Sequence, residues 1–141
     1  MSAGRVTMNP MGGDPHGRLK SLRNGLLRLH KSVLDSERAA YERDVERITS
    51  PGQYFQLVLN DPWFVWLREL SQFIVLIDER LDLDEPASDS DAARLISQAR
   101  ELLTPAENGS GFRRRYFEAL QRDPSVVLAH RDMMRVFAGL N

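Results

Sequence analysis

From residue 18 onward, apolar residues recur at spacings of three and four along almost the whole chain, and nowhere do they alternate as a half-buried strand requires. That regularity predicts an all-α fold. Proline marks the joints between helices. Ser50-Pro51-Gly52-Gln53 reads as a capping box, with serine as cap, proline at the first helical position and glutamine at the third. Asp61-Pro62 and Asp123-Pro124 carry a related signal. There the aspartate accepts from an orphan amide, and proline has no amide to leave orphaned. The spacing predicts a single-domain bundle of about six helices, over residues 18–49, 51–59, 62–82, 89–104, 110–122 and 124–139. Asn108-Gly109-Ser110-Gly111 is the clearest turn signal of the second half.

The two Asp-Pro joints sit inside a faint repeat. Tyr54-Phe55-Gln56 and Asp61-Pro62 are answered, sixty-two residues later, by Tyr116-Phe117-Glu118 and Asp123-Pro124. The match suggests two similar three-helix halves and sets Arg68 opposite His130, each six residues past its proline. Within the third helix, Trp63, Trp66, Leu67, Leu70, Ile74, Ile77 and Leu81 trace a wide apolar stripe. Phe64, Val65, Phe73, Val75 and Leu76 extend it around most of the circumference, which makes this helix the expected buried centre.

At 141 residues the chain is long enough for one domain and one core. Residues 1–17, rich in glycine, proline and methionine and without an apolar run, read as a mobile N-terminal tail ahead of a bundle over 18–141. They hold no secretory signal. The most apolar window, 63–81, contains Arg68, Glu69, Asp78, Glu79 and Arg80, which argues for a core helix rather than a membrane span. A cytoplasmic location is expected. A net charge of −1 makes nucleic acid an improbable partner. The absence of cysteine excludes disulfides and thiolate chemistry.

Charge is unevenly placed. Residues 16–31 hold Arg18, Lys20, Arg23, Arg28 and Lys31 with no acid among them, whereas residues 78–91 hold seven acids against Arg80 alone. Each block opposes its helix dipole, a misplacement costing up to about 1 kcal/mol. If helices one and three pack antiparallel, the two blocks meet and offset each other. A first helix of some 30 residues spans about 45 Å, more than a compact domain of this size needs. It therefore either bends or projects to meet a second copy. These features place the expected interaction surface at Arg18, Arg23 and Tyr41 of helix one and at Asp82, Asp84 and Glu85 of the acidic segment.

Candidate chemistry is sparse. No histidine has an acid three residues before it, and no H-E-x-x-H motif exists, so no metal site and no cofactor are predicted. His130 lies on the stripe Val127, His130, Met134, Phe137 and reads as a core histidine with one hydrogen-bond partner. Phe64, Arg68, Ser71, Val75 and Asp78 form a mixed stripe whose polar members need partners. Ser71 has no adjacent base. Arg113-Arg114-Arg115 contributes too little charge to bind nucleic acid unaided and is read as pairing with acids such as Glu118.

Two functional readings follow. The first is a non-enzymatic protein acting through self-association or contact with another protein, a homodimer being one form. The second is a small-molecule-binding or metal-dependent helical enzyme, with a pocket near Trp63, Arg68, Ser71, Asp78 and His130. The segment from Leu59-Asn60-Asp61-Pro62-Trp63-Phe64-Val65-Trp66-Leu67-Arg68 to Ile77-Asp78-Glu79 resembles a family of small uncharacterised bacterial proteins. The later stretch from Arg115-Tyr116 to His130 is similar to the second half of that family. The resemblance implies a bacterial, cytosolic, all-helical context and no catalytic residues.

Overall fold

Three helices begin on the same dipeptide. In the computed structural model, which describes residues 13–140, Asp14, Asp61 and Asp123 each cap the helix that starts at the next residue. These helices are α1 (Pro15–Asp44), α3 (Pro62–Val65) and α7 (Pro124–Gly139). The aspartates accept from the amides of Gly17, Trp63 and Ser125 at 2.6, 2.8 and 2.9 Å. Four more helices complete the described residues: α2 (Pro51–Asn60), α4 (Arg68–Leu81), α5 (Asp89–Leu102) and α6 (Gly111–Arg122). There is no strand among them.

The boundary expected at residue 17 is therefore corrected to the Asp14 cap, and residues 1–12 of the expected tail lie outside the described residues. The far end of helix one is also shorter than expected. It stops at Asp44 rather than 49, because the Glu42 carboxylate accepts from the Ile48 amide at 3.1 Å and turns the chain. Ile48 is thereby buried, and α2 folds back over the end of α1.

The expected helix over 62–82 is divided at Trp66–Leu67. These two residues have φ/ψ of −63°/−23° and −72°/−12°, near 3₁₀ geometry. The residues on either side of this division serve two clusters. Phe64 packs with Tyr41 and Ile48 in a small cluster that also takes Tyr54, Leu57 and Trp63. Leu67, Leu70, Ile74 and Ile77 face the main core.

The hub of the molecule is α1, which packs on α7, α4, α5 and α3. Its residues Leu19, Leu22, Leu26, Leu29 and Val33 are at most 1% exposed, each burial contributing about 1.5–3 kcal/mol. Gly25 marks the close crossing with α7, where a Cβ would lie 3.0 Å from Met133 Sδ. Apolar residues do not bury the whole circumference of α4, since Val75 and Leu76 are 52% and 46% exposed.

Helices α1 and α4 run antiparallel, as the charge blocks predict. Arg23 meets Asp78 at 3.1 Å near the start of α1, while Glu37 further along α1 takes a hydrogen bond from Trp63. Arg18 adds a second link between the blocks, to Asp89 at 3.8 Å.

Candidate interaction surfaces

The structure gives each residue of the expected pocket a different partner. Arg68 donates to the Leu59 carbonyl of α2, and Ser71 donates back to the Arg68 carbonyl at 3.0 Å. Asp78 is taken by Arg23. Ten residues of helix separate Arg68 from Asp78, about 15 Å along the axis. His130 Nδ1 lies 2.6 Å from the hydroxyl of Tyr116, a fully buried side chain on α6. The two tryptophans part company as well. Trp63 donates to the Glu37 carbonyl at 3.1 Å and sets its edge on Tyr41, whereas Trp66 packs on Phe112 at 5.3 Å beneath the guanidinium of Arg115.

Arg68 and His130 do share a role. Each reaches back across its own Asp-Pro joint to the helix before it, Arg68 to α2 and His130 to α6. Their positional equivalence is one of bracing rather than of a common cleft. The stripe that carries His130 is displaced by one residue from the sequence reading. Val126, Met133 and Phe137 are buried and Val127 is 47% exposed, which leaves His130 at the margin of the core. Burial lowers the His130 pKa below its ordinary value and raises that of Tyr116, so both groups are held neutral.

Of the residues expected at an interaction surface, Tyr41 is corrected outright. It is 5% exposed, because α2 and α3 fold over the end of α1 and bury its ring between Trp63 and Phe64. Arg18 and Arg23 are occupied by Asp89 and Asp78. Asp82, Asp84 and Glu85 are exposed in the turn after α4. That turn is held from beneath by Arg80, which donates to the carbonyls of Glu85 and Pro86 and to the Asp91 carboxylate. Asp91 also closes a capping box with Ser88 at the start of α5. Donation from the Ser88 amide, then from Arg80 and the Ser88 hydroxyl, lowers the Asp91 pKa to about 2. The three arginines that begin α6 are similarly engaged, Arg113 with the Thr104 carbonyl and Arg114 and Arg115 with Glu118.

One surface escaped the sequence reading. Between Arg47 and Arg68 the chain carries a single charge, Asp61, in a protein whose residues are 28% charged. Asp61 is consumed as the cap of α3. The helix inside this gap, α2, has no buried residue at all. Tyr54, Leu57 and Val58 lean on the small aromatic cluster, and Arg38 lies over the Tyr54 ring at 4.4 Å. On the other side Phe55 and Leu59, one turn apart, are 60% and 41% exposed. The charge gap was the signal; periodicity alone hid it, since it marks only which residues are apolar.

Among the described residues, no group of three or more His, Asp or Glu side chains is placed to hold a metal ion. No helix among them is long and apolar enough to cross a membrane. No protein-family model matches the chain, and neither a curated protein nor a solved structure matches it.

Proposed function

We propose that this protein works by association rather than by catalysis, and that it pairs with a second copy of itself through the outer face of α2. The observation that carries this reading is the coincidence of exposure and charge depletion at Phe55 and Leu59. The centres of homodimer interfaces are apolar and poor in charge. A two-fold axis through such a patch sets each residue against its own kind or its neighbour. A charged face would then meet like charge at a cost of several kcal/mol, and an uncharged face does not. Gln53, Gln56 and Asn60 on the same helix supply a polar rim without net charge. This replaces the expected contact along helix one, where only Leu27 within α1 and Val45 just past its end are large apolar side chains left exposed among the described residues.

Sedimentation velocity over a wide concentration range tests the reading. The expected result is a monomer–dimer equilibrium for the wild type and a monomer for Phe55→Glu/Leu59→Glu, with the same helical circular dichroism. A wild type that stays monomeric throughout, or a dimer that survives the double substitution, overturns it.

A further inference from the structure

The dipeptide Asn-Gly occurs twice in the chain, as Asn24-Gly25 and as Asn108-Gly109. In such a pair the asparagine side chain reacts readily with its own backbone, because glycine has no Cβ to hinder the approach of its nitrogen. The structure puts the two pairs in opposite settings. Asn24-Gly25 lies inside α1, where each amide is committed to the carbonyl four residues back. Gly25 is buried against Met133 and Val136 of α7. Swinging its nitrogen toward the Asn24 side chain would break the helix between Leu22 and Leu26, both fully buried. That motion requires the core to open.

Asn108-Gly109 lies in the connection between α5 and α6. Asn108 is exposed, and its side chain makes no hydrogen bond among the described residues. A single bond holds the Gly109 amide, which donates to the Ala106 carbonyl at 3.1 Å across a tight turn. No residue between Leu103 and Phe112 is buried. Opening this turn therefore uncovers no core, and segments of this kind open at low free energy.

We propose that Asn108 is a site of spontaneous chemical modification in the folded protein, deamidating through its own backbone. When the turn opens and hydroxide removes the Gly109 amide proton, the freed nitrogen attacks Cγ of Asn108. A bond forms between that nitrogen and Cγ and closes a succinimide ring. The bond from Cγ to Nδ2 breaks, and Nδ2 leaves as ammonia with a proton taken from solvent. Water then adds to either carbonyl of the ring. Opening at the side-chain carbonyl leaves aspartate. Opening at the main-chain carbonyl leaves isoaspartate, with the chain running through the former side chain and longer by one methylene.

Either product adds one negative charge to a chain whose net charge is −1. The new carboxylate stands two residues ahead of Ser110, the residue before α6, whose own side chain caps nothing. Negative charge is favoured at that end of a helix. The isoaspartate, by its extra methylene, also parts the Gly109 amide from the Ala106 carbonyl. The reaction thus remakes the α5–α6 connection without touching the core. It does not depend on the α2 reading.

The test incubates the full chain at mildly alkaline pH in water enriched in heavy oxygen, one sample folded and one in urea. Trypsin then releases the two sites on separate fragments, residues 101–113 and 24–28, for mass spectrometry. In the folded sample the first fragment should take up heavy oxygen, as isoaspartate and aspartate, at least about tenfold faster than the second. In urea the two rates should converge, because the fold no longer separates them. Asn108→Gln, whose longer side chain closes the ring far less readily, should remove the acidic species that isoelectric focusing resolves in the aged wild type. Its circular dichroism should be unchanged, since position 108 is at the surface. A folded sample in which Asn108 keeps its amide while the urea sample reacts overturns the proposal, because the turn then protects the site. So do equal rates at Asn24 and Asn108 in the folded sample, or an acidic species that persists in Asn108→Gln.

Discussion

The guanidinium of Arg122 donates to the carboxylate of Glu37, a residue 2% exposed in the middle of α1. Around this pair the two Asp-Pro joints converge. Ser36 donates its hydroxyl to Asp123 at 2.6 Å, and the indole of Trp63 donates to the Glu37 carbonyl at 3.1 Å. Residues flanking both joints are therefore tied to neighbouring positions on α1. The helix that organises the core also fixes where the chain turns between α2 and α3 and between α6 and α7.

Breaking the pair should destabilise the protein more than an ordinary surface ion pair does. Arg122→Met leaves the Glu37 carboxylate buried without its cation. Because the Arg122 side chain is itself 37% exposed, solvent moderates the loss to about 2–3 kcal/mol, below that of a fully enclosed pair. Urea denaturation should show that loss. Glu37→Met combined with Arg122→Met should be less damaging than Arg122→Met alone, since no orphan charge remains.

Asp91 should govern part of the acid limb of stability. Its folded pKa, about 2, lies below the ordinary carboxylate value of 3.8. A depressed carboxylate pKa contributes stability that is complete above the unfolded value and is lost as pH falls through the folded one. The window is thus from pH 3.8 down to about 2. Over it, the melting temperature of Asp91→Asn should fall less steeply than that of the wild type. The variant should also loosen the 82–88 turn, because Arg80 loses the carboxylate that anchors it.

How much of this was legible depends on whether the signal was local. Capping chemistry is local, and the helix starts at Ser50, Asp61 and Asp123 were legible for that reason, although Gln53 accepts from the Thr49 amide and does not close the expected box on Ser50. Asp14-Pro15 carried the same signal and was overlooked because the surrounding glycines and prolines resemble a tail. The antiparallel run of α1 and α4 was legible from opposed charge blocks. The division at Trp66–Leu67 was not, since neither glycine nor proline marks it. The partners of Arg68 and His130 were hidden as well: sequence offsets aligned them, but tertiary contacts decide what each one touches.

The α2 helix should open before the rest. It has no buried residue, whereas α1 carries a line of residues at most 1% exposed. Regions with few buried contacts open locally at low free energy. Hydrogen exchange at low protein concentration should show the amides of residues 54–60 exchanging well ahead of those of residues 22–33. If α2 is the self-pairing face, raising the protein concentration should slow the first set and leave the second unchanged.

The burial of His130 should make stability fall on mild acidification. Burial depresses the His130 pKa below 6.5, so the folded state binds fewer protons at this site than the unfolded chain does. Stability from that difference is fully present above pH 6.5 and declines as pH falls below it, the sign opposite to that of a histidine gaining an acidic partner. His30, also depressed by burial, adds a slope of the same sign. Urea midpoints measured from about pH 7.5 to 5.5 should therefore drop in the wild type and drop less in His130→Gln, with a residual slope from His30. Tyr116→Phe removes the hydroxyl 2.6 Å from Nδ1 while leaving the ring in place against Phe112. It should lower the unfolding free energy at neutral pH by about 1 kcal/mol, the net worth of one hydrogen bond. Because the burial that depresses the histidine remains, most of the pH slope should persist in this variant. A slope that vanished with Tyr116→Phe would assign the depression to the hydrogen bond instead of to the surrounding core.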